Sequence, residues 1–156
     1  MSYFTTNFAI AAGGTEMKKY KIGYTTGVYD MFHIGHLNIL RRAKEQCDYL
    51  IVGVSTDELV ISYKHKKPII PYEERKAIVE AIRYVDCVVP QTSLDKVAAW
   101  RELHFDAVFH GDDWKGSSLY LDIEERLREV GCKMVFLPHT DGTSSTLLAQ
   151  ALHEEN

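Results

Sequence analysis

The sequence predicts an α/β chain: a Rossmann-like, doubly wound, five-stranded parallel sheet with helices on both faces. Three observations carry this. Short runs rich in β-branched and aromatic residues alternate with longer amphipathic stretches from Lys19 to the end. Those short runs are apolar almost throughout, as strands are when both faces of a sheet are covered. Polar, glycine-bearing segments follow the strands, on the edge where such folds bind their ligands.

Taken in order, "YKIGYTT" (20–26) is the first strand and the pattern at 36–47 the first helix. The run "YLIVGVS" (49–55) is the second strand, and "SYKHKKPIIP" (62–71) a basic loop leading to a helix at 72–83, "YEERKAIVEAIR". A third strand at 86–90, "DCVVP", precedes a helix at 94–104, "LDKVAAWRELH". The fourth strand is 106–110, "DAVFH", followed by a helix at 119–130, "LYLDIEERLREV". The fifth strand is 133–137, "KMVFL", and a last helix covers about 144–153. No internal repeat or low-complexity tract interrupts the series.

At 156 residues, 46% hydrophobic and 26% charged, the chain has the composition of one globular domain. Its net charge of −4 argues against nucleic-acid binding as the main activity. Cys47, Cys87 and Cys132 are odd in number and lack a C-x-x-C pair, so they read as reduced thiols in or near the core. No apolar run approaches the ~18–20 residues of a membrane span. The start, "MSYFTTNFAIAAGGTEM", has no basic region ahead of an apolar stretch, so no signal peptide is expected. The expectation is a cytoplasmic protein, with residues 1–18 an extension and 19–156 a single domain.

Four segments after strands hold unusual chemistry: "GVYDMFHIGH" (27–36), the lysine loop with Lys64, His65, Lys66 and Lys67, "HGDDWKGSS" (110–118) and "PHTDGTSST" (138–146). Each alone has an ordinary reading as a capping pair, a solvated loop, a turn or an N-cap with Ser144 or Thr143. Together, on one sheet edge, they supply imidazoles, ammonium groups and a Gly/Ser/Thr turn opening a helix. That set suits a polyphosphate. A zinc site at His33 and His36 competes, but it needs further ligands, and His110 and His139 are remote candidates. Lys64 and Lys66 lie two apart, so in an extended loop they face the same way.

"GVYDMFHIGH" resembles the G-x-(F/Y)-D-x-x-H-x-G-H signature of the nucleotidyltransferase superfamily. "RYVD" (83–86), "GDDW" (111–114) and "TDGTSST" (140–146) are similar to motifs of its cytidylyltransferase branch, most like the glycerol-3-phosphate cytidylyltransferases. The resemblance spans about residues 20–150. It implies a CTP site built from Gly27, Val28, Tyr29, His33, Ile34, Gly35 and His36, with Lys66, Asp113 and Trp114. The segment His139, Thr140, Asp141, Gly142, Thr143, Ser144, Ser145 and Thr146 completes it. It further implies catalytic roles for His33, His36, Lys66 and Asp30, with Asp30 fixing the loop or an imidazole's orientation, and acceptor contacts from Lys64, Lys96, Arg83 and Asp86. A homodimer also follows from it. The late motif departs in having His139 where the family has arginine, and Ser145 and Thr146 where it has two threonines; a guanidinium is permanently charged and an imidazole is not.

The implied reaction is in-line attack of a phosphomonoester oxygen, glycerol 3-phosphate being the leading acceptor, on the α-phosphorus of CTP. Pyrophosphate leaves, and Mg²⁺ is expected to bridge the phosphates. Catalysis is then mainly positioning and charge stabilisation, with no protein nucleophile. Alternatives are another polyol phosphate, phosphocholine or phosphoethanolamine as acceptor, ATP as donor, or a non-catalytic nucleotide sensor.

Overall fold

The computed structural model describes residues 18–112, 115–142 and 144–154. Five strands, β1 (Tyr20–Gly27), β2 (Cys47–Ser55), β3 (Cys87–Gln91), β4 (Ala107–Gly111) and β5 (Lys133–Leu137), form one sheet in the order β3-β2-β1-β4-β5. Every pairing is parallel. The helices are α1 (Ile34–Gln46), α2 (Asp57–Lys64), α3 (Tyr72–Glu80), α4 (Lys96–Leu103), α5 (Ser118–Glu129) and α6 (Ser145–Glu154). This is the architecture that the alternation predicts.

Side chains alternate across the strands, so the sheet feeds two cores. On one face Val52, Val54 and Phe109 pack with Leu40 and Ala43 of α1 and Val79 of α3. On the other, Tyr24, Ile51, Val108 and Met134 pack with Val97 of α4 and Leu127 of α5. Burying one such side chain stabilises by about 1.5–3 kcal/mol, which is why the strand runs are mostly apolar. The chain runs outward from β1 through β2 to β3, then crosses back to place β4 on the other side of β1. The switch point therefore lies between the carboxyl ends of β1 and β4, the place where sheets of this kind bind their ligands.

The boundaries move by a few residues, for local reasons. α1 begins at Ile34 because His33 caps it, and α4 at Lys96 because Asp95 Oδ1 accepts from the N–H groups of Val97 (3.0 Å) and Ala98 (3.2 Å). The helix anticipated over 72–83 ends at Glu80. α2 was not expected from the sequence. Thr56 caps it by accepting from Leu59 N–H (3.2 Å), and Asp57 and Glu58 suit its positive end. Of the proposed extension, residues 1–17 lie outside the described residues; Lys18 Nζ donates to the Lys44 carbonyl (2.8 Å).

Cys47 and Cys132 are buried free thiols, as the sequence suggests, and burial pushes them up to about 11 and about 12. Among the described residues no helix is long and apolar enough to cross a membrane.

Candidate active site

The two motif histidines are built into the start of α1. His33 is its N-cap, with extended backbone, and its Nδ1 accepts from Gly35 N–H (3.0 Å). His36 reaches back, its Nδ1 accepting from His33 N–H (3.2 Å), which closes a reciprocal capping box. The rings stack with centroids 3.9 Å apart and planes 27° from parallel. Because both Nδ1 atoms accept, both Nε2 atoms carry the proton. The site thus offers two N–H donors side by side at a helix N-terminus, where backbone dipoles already favour an anion. Burial lowers the titration of both rings; His36 falls to about 4, with the neighbouring His33 adding to the effect and Asp30 opposing it. Near neutral pH the pair is uncharged and donating.

Aromatic packing seats the inner ring. His36 meets Tyr29 edge-on at 5.4 Å and Phe32 at 5.3 Å. Tyr29 and Met31 have left-handed backbones (φ 55° and 48°), which folds the loop tightly between β1 and α1. Tyr29 turns its ring back over Gly27, where an added Cβ would lie 2.9 Å from the ring.

Asp30 holds the lysine loop. Its Oδ2 accepts from Ile69 N–H (2.8 Å) and its Oδ1 from Ile70 N–H (2.9 Å). Both carboxylate oxygens are thereby used in tying the lysine loop to the histidine motif. This is the loop-fixing role expected of Asp30 within the motif. The main chain of Asp30 does similar work, its carbonyl accepting from Ser145 Oγ (2.6 Å) at the start of α6.

Sequence reasoning missed the residue that locks these loops together. Arg75, inside α3, is 1% exposed. Its Nε donates to the Ile70 carbonyl (2.8 Å), and one terminal nitrogen donates to the carbonyls of Val28 (2.7 Å) and Ser55 (2.8 Å). The other terminal nitrogen pairs with Asp57 Oδ1 (2.7 Å). Asp57 Oδ2 in turn accepts from Tyr72 N–H, where Pro71 has no side-chain cap to offer. An arginine in "YEERKAIVE" reads as a surface charge; only the fold shows that it points inward.

The lysine loop also needs correction. Lys64 is the last residue of α2, and His65 caps that helix with a left-handed backbone (φ 59°). The loop is therefore not extended at Lys64, and the alternation argument for Lys64 and Lys66 fails. Lys64, Lys66 and Lys67 are all exposed.

The late segment comes to the same edge, held by α1. Asn38 Nδ2 donates to Thr140 Oγ1 (3.0 Å) and Arg42 to the Pro138 carbonyl (2.8 Å). Ser144 caps α6, accepting from Leu147 N–H (3.1 Å). Gly142 has a left-handed backbone (φ 87°), as a turn into a helix requires. Thr143, Asp113 and Trp114 lie outside the described residues.

Lys96 reaches the carboxyl end of β1 from α4. It is 5% exposed, donates to Thr26 Oγ1 (2.9 Å), and burial lowers it to about 8. Arg83 and Asp86 do not join this group. Asp86 precedes β3, and its carboxylate accepts from Leu50 N–H (2.7 Å) and pairs with Lys44 at the amino-terminal side of the sheet. Arg83 donates to the Tyr84 hydroxyl (2.9 Å) nearby. The expected acceptor contacts of Arg83 and Asp86 thus have no geometric support within this chain. Among the described residues no group of three or more His, Cys, Asp or Glu could hold a metal ion.

The model of the cytidylyltransferase-like family matches residues 24–151. The chain is 40% identical to the glycerol-3-phosphate cytidylyltransferase of Staphylococcus aureus over 130 residues, covering 83% of this chain and 92% of that protein. It is 38% identical to the mouse ethanolamine-phosphate cytidylyltransferase over 125 residues, 77% of this chain but 30% of that one. Among solved structures, the lipopolysaccharide core biosynthesis protein of Thermoplasma volcanium shares the fold, with a TM-score of 0.65 at 23% identity. That match covers 80% of this chain and 99% of that one.

Proposed function

The chain belongs to the cytidylyltransferase-like family of nucleotidyltransferases, and from that premise we propose that it transfers CMP from CTP to glycerol 3-phosphate, giving CDP-glycerol and pyrophosphate. The observation that carries the reading is the stacked pair His33 and His36, whose Nε2–H donors lie together at the N-terminus of α1.

An acceptor phosphate oxygen attacks the α-phosphorus of CTP. The new P–O bond forms as the bond to the bridging oxygen breaks, and pyrophosphate departs with the electron pair. Charge gathers on the phosphoryl oxygens and the leaving group. His33 and His36 donate hydrogen bonds there without titrating, and they are already oriented, so little reorganisation opposes the step. The acceptor is an anion near neutral pH, so no strong base is needed. Asp30 and Arg75 hold the lysine loop and the late segment against the motif, and Lys66 and Lys96 bring positive charge to donor and acceptor phosphates.

Mg²⁺ is the expected cofactor. A hard cation that takes phosphate oxygens and water can enter with the triphosphate, and the absence of a carboxylate cage among the described residues fits that mode. The protein works in the cytoplasm, where CTP is available, as a homodimer. β3 is an edge strand, and "IRYVDCVVP" (82–90), which runs into it, carries half-buried apolar residues for an isologous contact.

The test is pyrophosphate release with CTP and a panel of phosphoalcohols. Turnover with CTP and glycerol 3-phosphate is expected, well above that with ATP. Comparable turnover with ATP, or none with CTP, would overturn the reading.

A further inference from the structure

The helix behind the late segment has little to hold it in place. No residue of α6 is buried, and Leu147 and Leu152 are 52% and 54% exposed. A helix without a buried apolar face has low local stability, so its position depends on the hydrogen bonds of the segment that leads into it. Three such bonds run from that unit to the motif and α1: Arg42 to the Pro138 carbonyl (2.8 Å), Asn38 Nδ2 to Thr140 Oγ1 (3.0 Å), and Ser145 Oγ to the Asp30 carbonyl (2.6 Å).

Of the three, the Asn38 bond acts within the segment. Pro138 follows directly on β5, where Leu137 is buried and paired with Gly111, so the sheet already fixes that end. Ser145 belongs to α6 itself. Thr140 stands between them, just before the left-handed turn at Gly142. The Asn38 amide can serve there in one orientation. Arg41 Nη2 lies 3.2 Å from its Oδ1, and a guanidinium only donates, so the oxygen faces Arg41 and the NH₂ faces Thr140. Asparagine is also a poorer helix former than alanine, so its place inside α1 works against the helix that carries it. Such a local cost is expected where a residue serves a site.

We propose that Asn38 is a positioning residue for the nucleotide, acting through Thr140 to set where the late segment stands relative to the stacked histidines. The inference rests on the transferase reading above. α1 is one unbroken helix of 13 residues, so His33 and His36 at its start keep a fixed spacing from Asn38. One rod thereby carries both the paired N–H donors and the anchor of the second phosphate-binding segment. Losing that anchor leaves the histidine donors in place, so it weakens binding of CTP more than the chemical step.

The test is steady-state pyrophosphate release with CTP varied at saturating glycerol 3-phosphate, for the wild type, Asn38→Ala, Thr140→Val and the double variant. Asn38→Ala should raise KM for CTP by about 3- to 10-fold, the worth of one neutral hydrogen bond, with kcat changed less than about twofold. In the Thr140→Val background the same substitution should change KM by less than about twofold, because its partner is already gone. Alanine favours α1, so the urea midpoint should hold or rise, which separates this outcome from loss of the helix. Amide exchange reads the same contact without turnover. The N–H groups of Leu147 and Leu148, which bond Ser144, should exchange about 3- to 10-fold faster in Asn38→Ala. An unchanged KM for CTP in Asn38→Ala, an equal rise in the Thr140→Val background, or unchanged exchange at both amides overturns this inference alone. A wild-type chain that turns over no phosphoalcohol with CTP overturns the transferase reading and this inference with it.

Discussion

Replacing Arg75 by Met tests whether one buried cation holds the active-site loops in register. Methionine fills much of the same volume but donates no hydrogen bonds. It would strand the carbonyls of Ile70, Val28 and Ser55 and leave the Asp57 carboxylate without its partner. A stranded buried acceptor costs about 1–3 kcal/mol, but only the Ser55 contact is fully enclosed, and Asp57 is 31% exposed and can be hydrated. The loss should therefore be about 3–5 kcal/mol, the range for breaking a buried ion pair from one side. For a chain of this length that is a fall of roughly 6–20 °C in Tm. Arg75→Lys should recover less than half of it, since one nitrogen cannot span four acceptors. Urea denaturation at pH 7, followed by circular dichroism, measures the loss, and pyrophosphate release reports the loops. A destabilisation below about 1 kcal/mol in Arg75→Met would refute the reasoning, because the carbonyls would then have other partners.

His33→Ala and His36→Ala should each lower kcat by roughly 10²–10³ in steady-state assays, and each also breaks half of the capping box, worth about 1 kcal/mol in denaturation. Asp30→Asn turns one acceptor into a donor facing the N–H groups of Ile69 or Ile70. It should raise KM for both substrates, and faster amide hydrogen exchange at those two residues would mark the released loop. His110 is held below its usual 6.5, at about 3, by burial and the adjacent Lys96 ammonium, so the unfolded chain takes up a proton first as pH falls. Its contribution to stability is complete above pH 6.5 and declines toward pH 3. Accordingly, His110→Gln should narrow the gap in urea midpoint to the wild type between pH 7 and pH 4.5; a gap that stays constant counts against a neutral buried imidazole.

The sheet was legible because its strands are buried on both faces, so their apolar runs needed no partner to be recognised. α2 was not, since it buries only Leu59 and Val60 and gives no lasting periodicity. The histidine pair was legible because its chemistry is local, three residues apart on one turn. Asp30 was harder: a carboxylate in a catalytic-looking motif gives no sign that two backbone amides, some forty residues on, will consume it. Lys64 was misjudged because the unread helix turned an apparent loop residue into a helical one. His110, Tyr120 and Lys96 come from three elements, so only the strand order brings them together.

The contact between Gly27 and the Tyr29 ring has a consequence for how this chain can vary. Any side chain at position 27 must displace that ring, and the ring is one wall of the seat of His36. A single methyl group there would act as a wedge, its push passing through the aromatic ring to the imidazole two steps away. Position 27 therefore acts through its neighbour: it fixes where the Tyr29 ring, and with it the His36 imidazole, can lie.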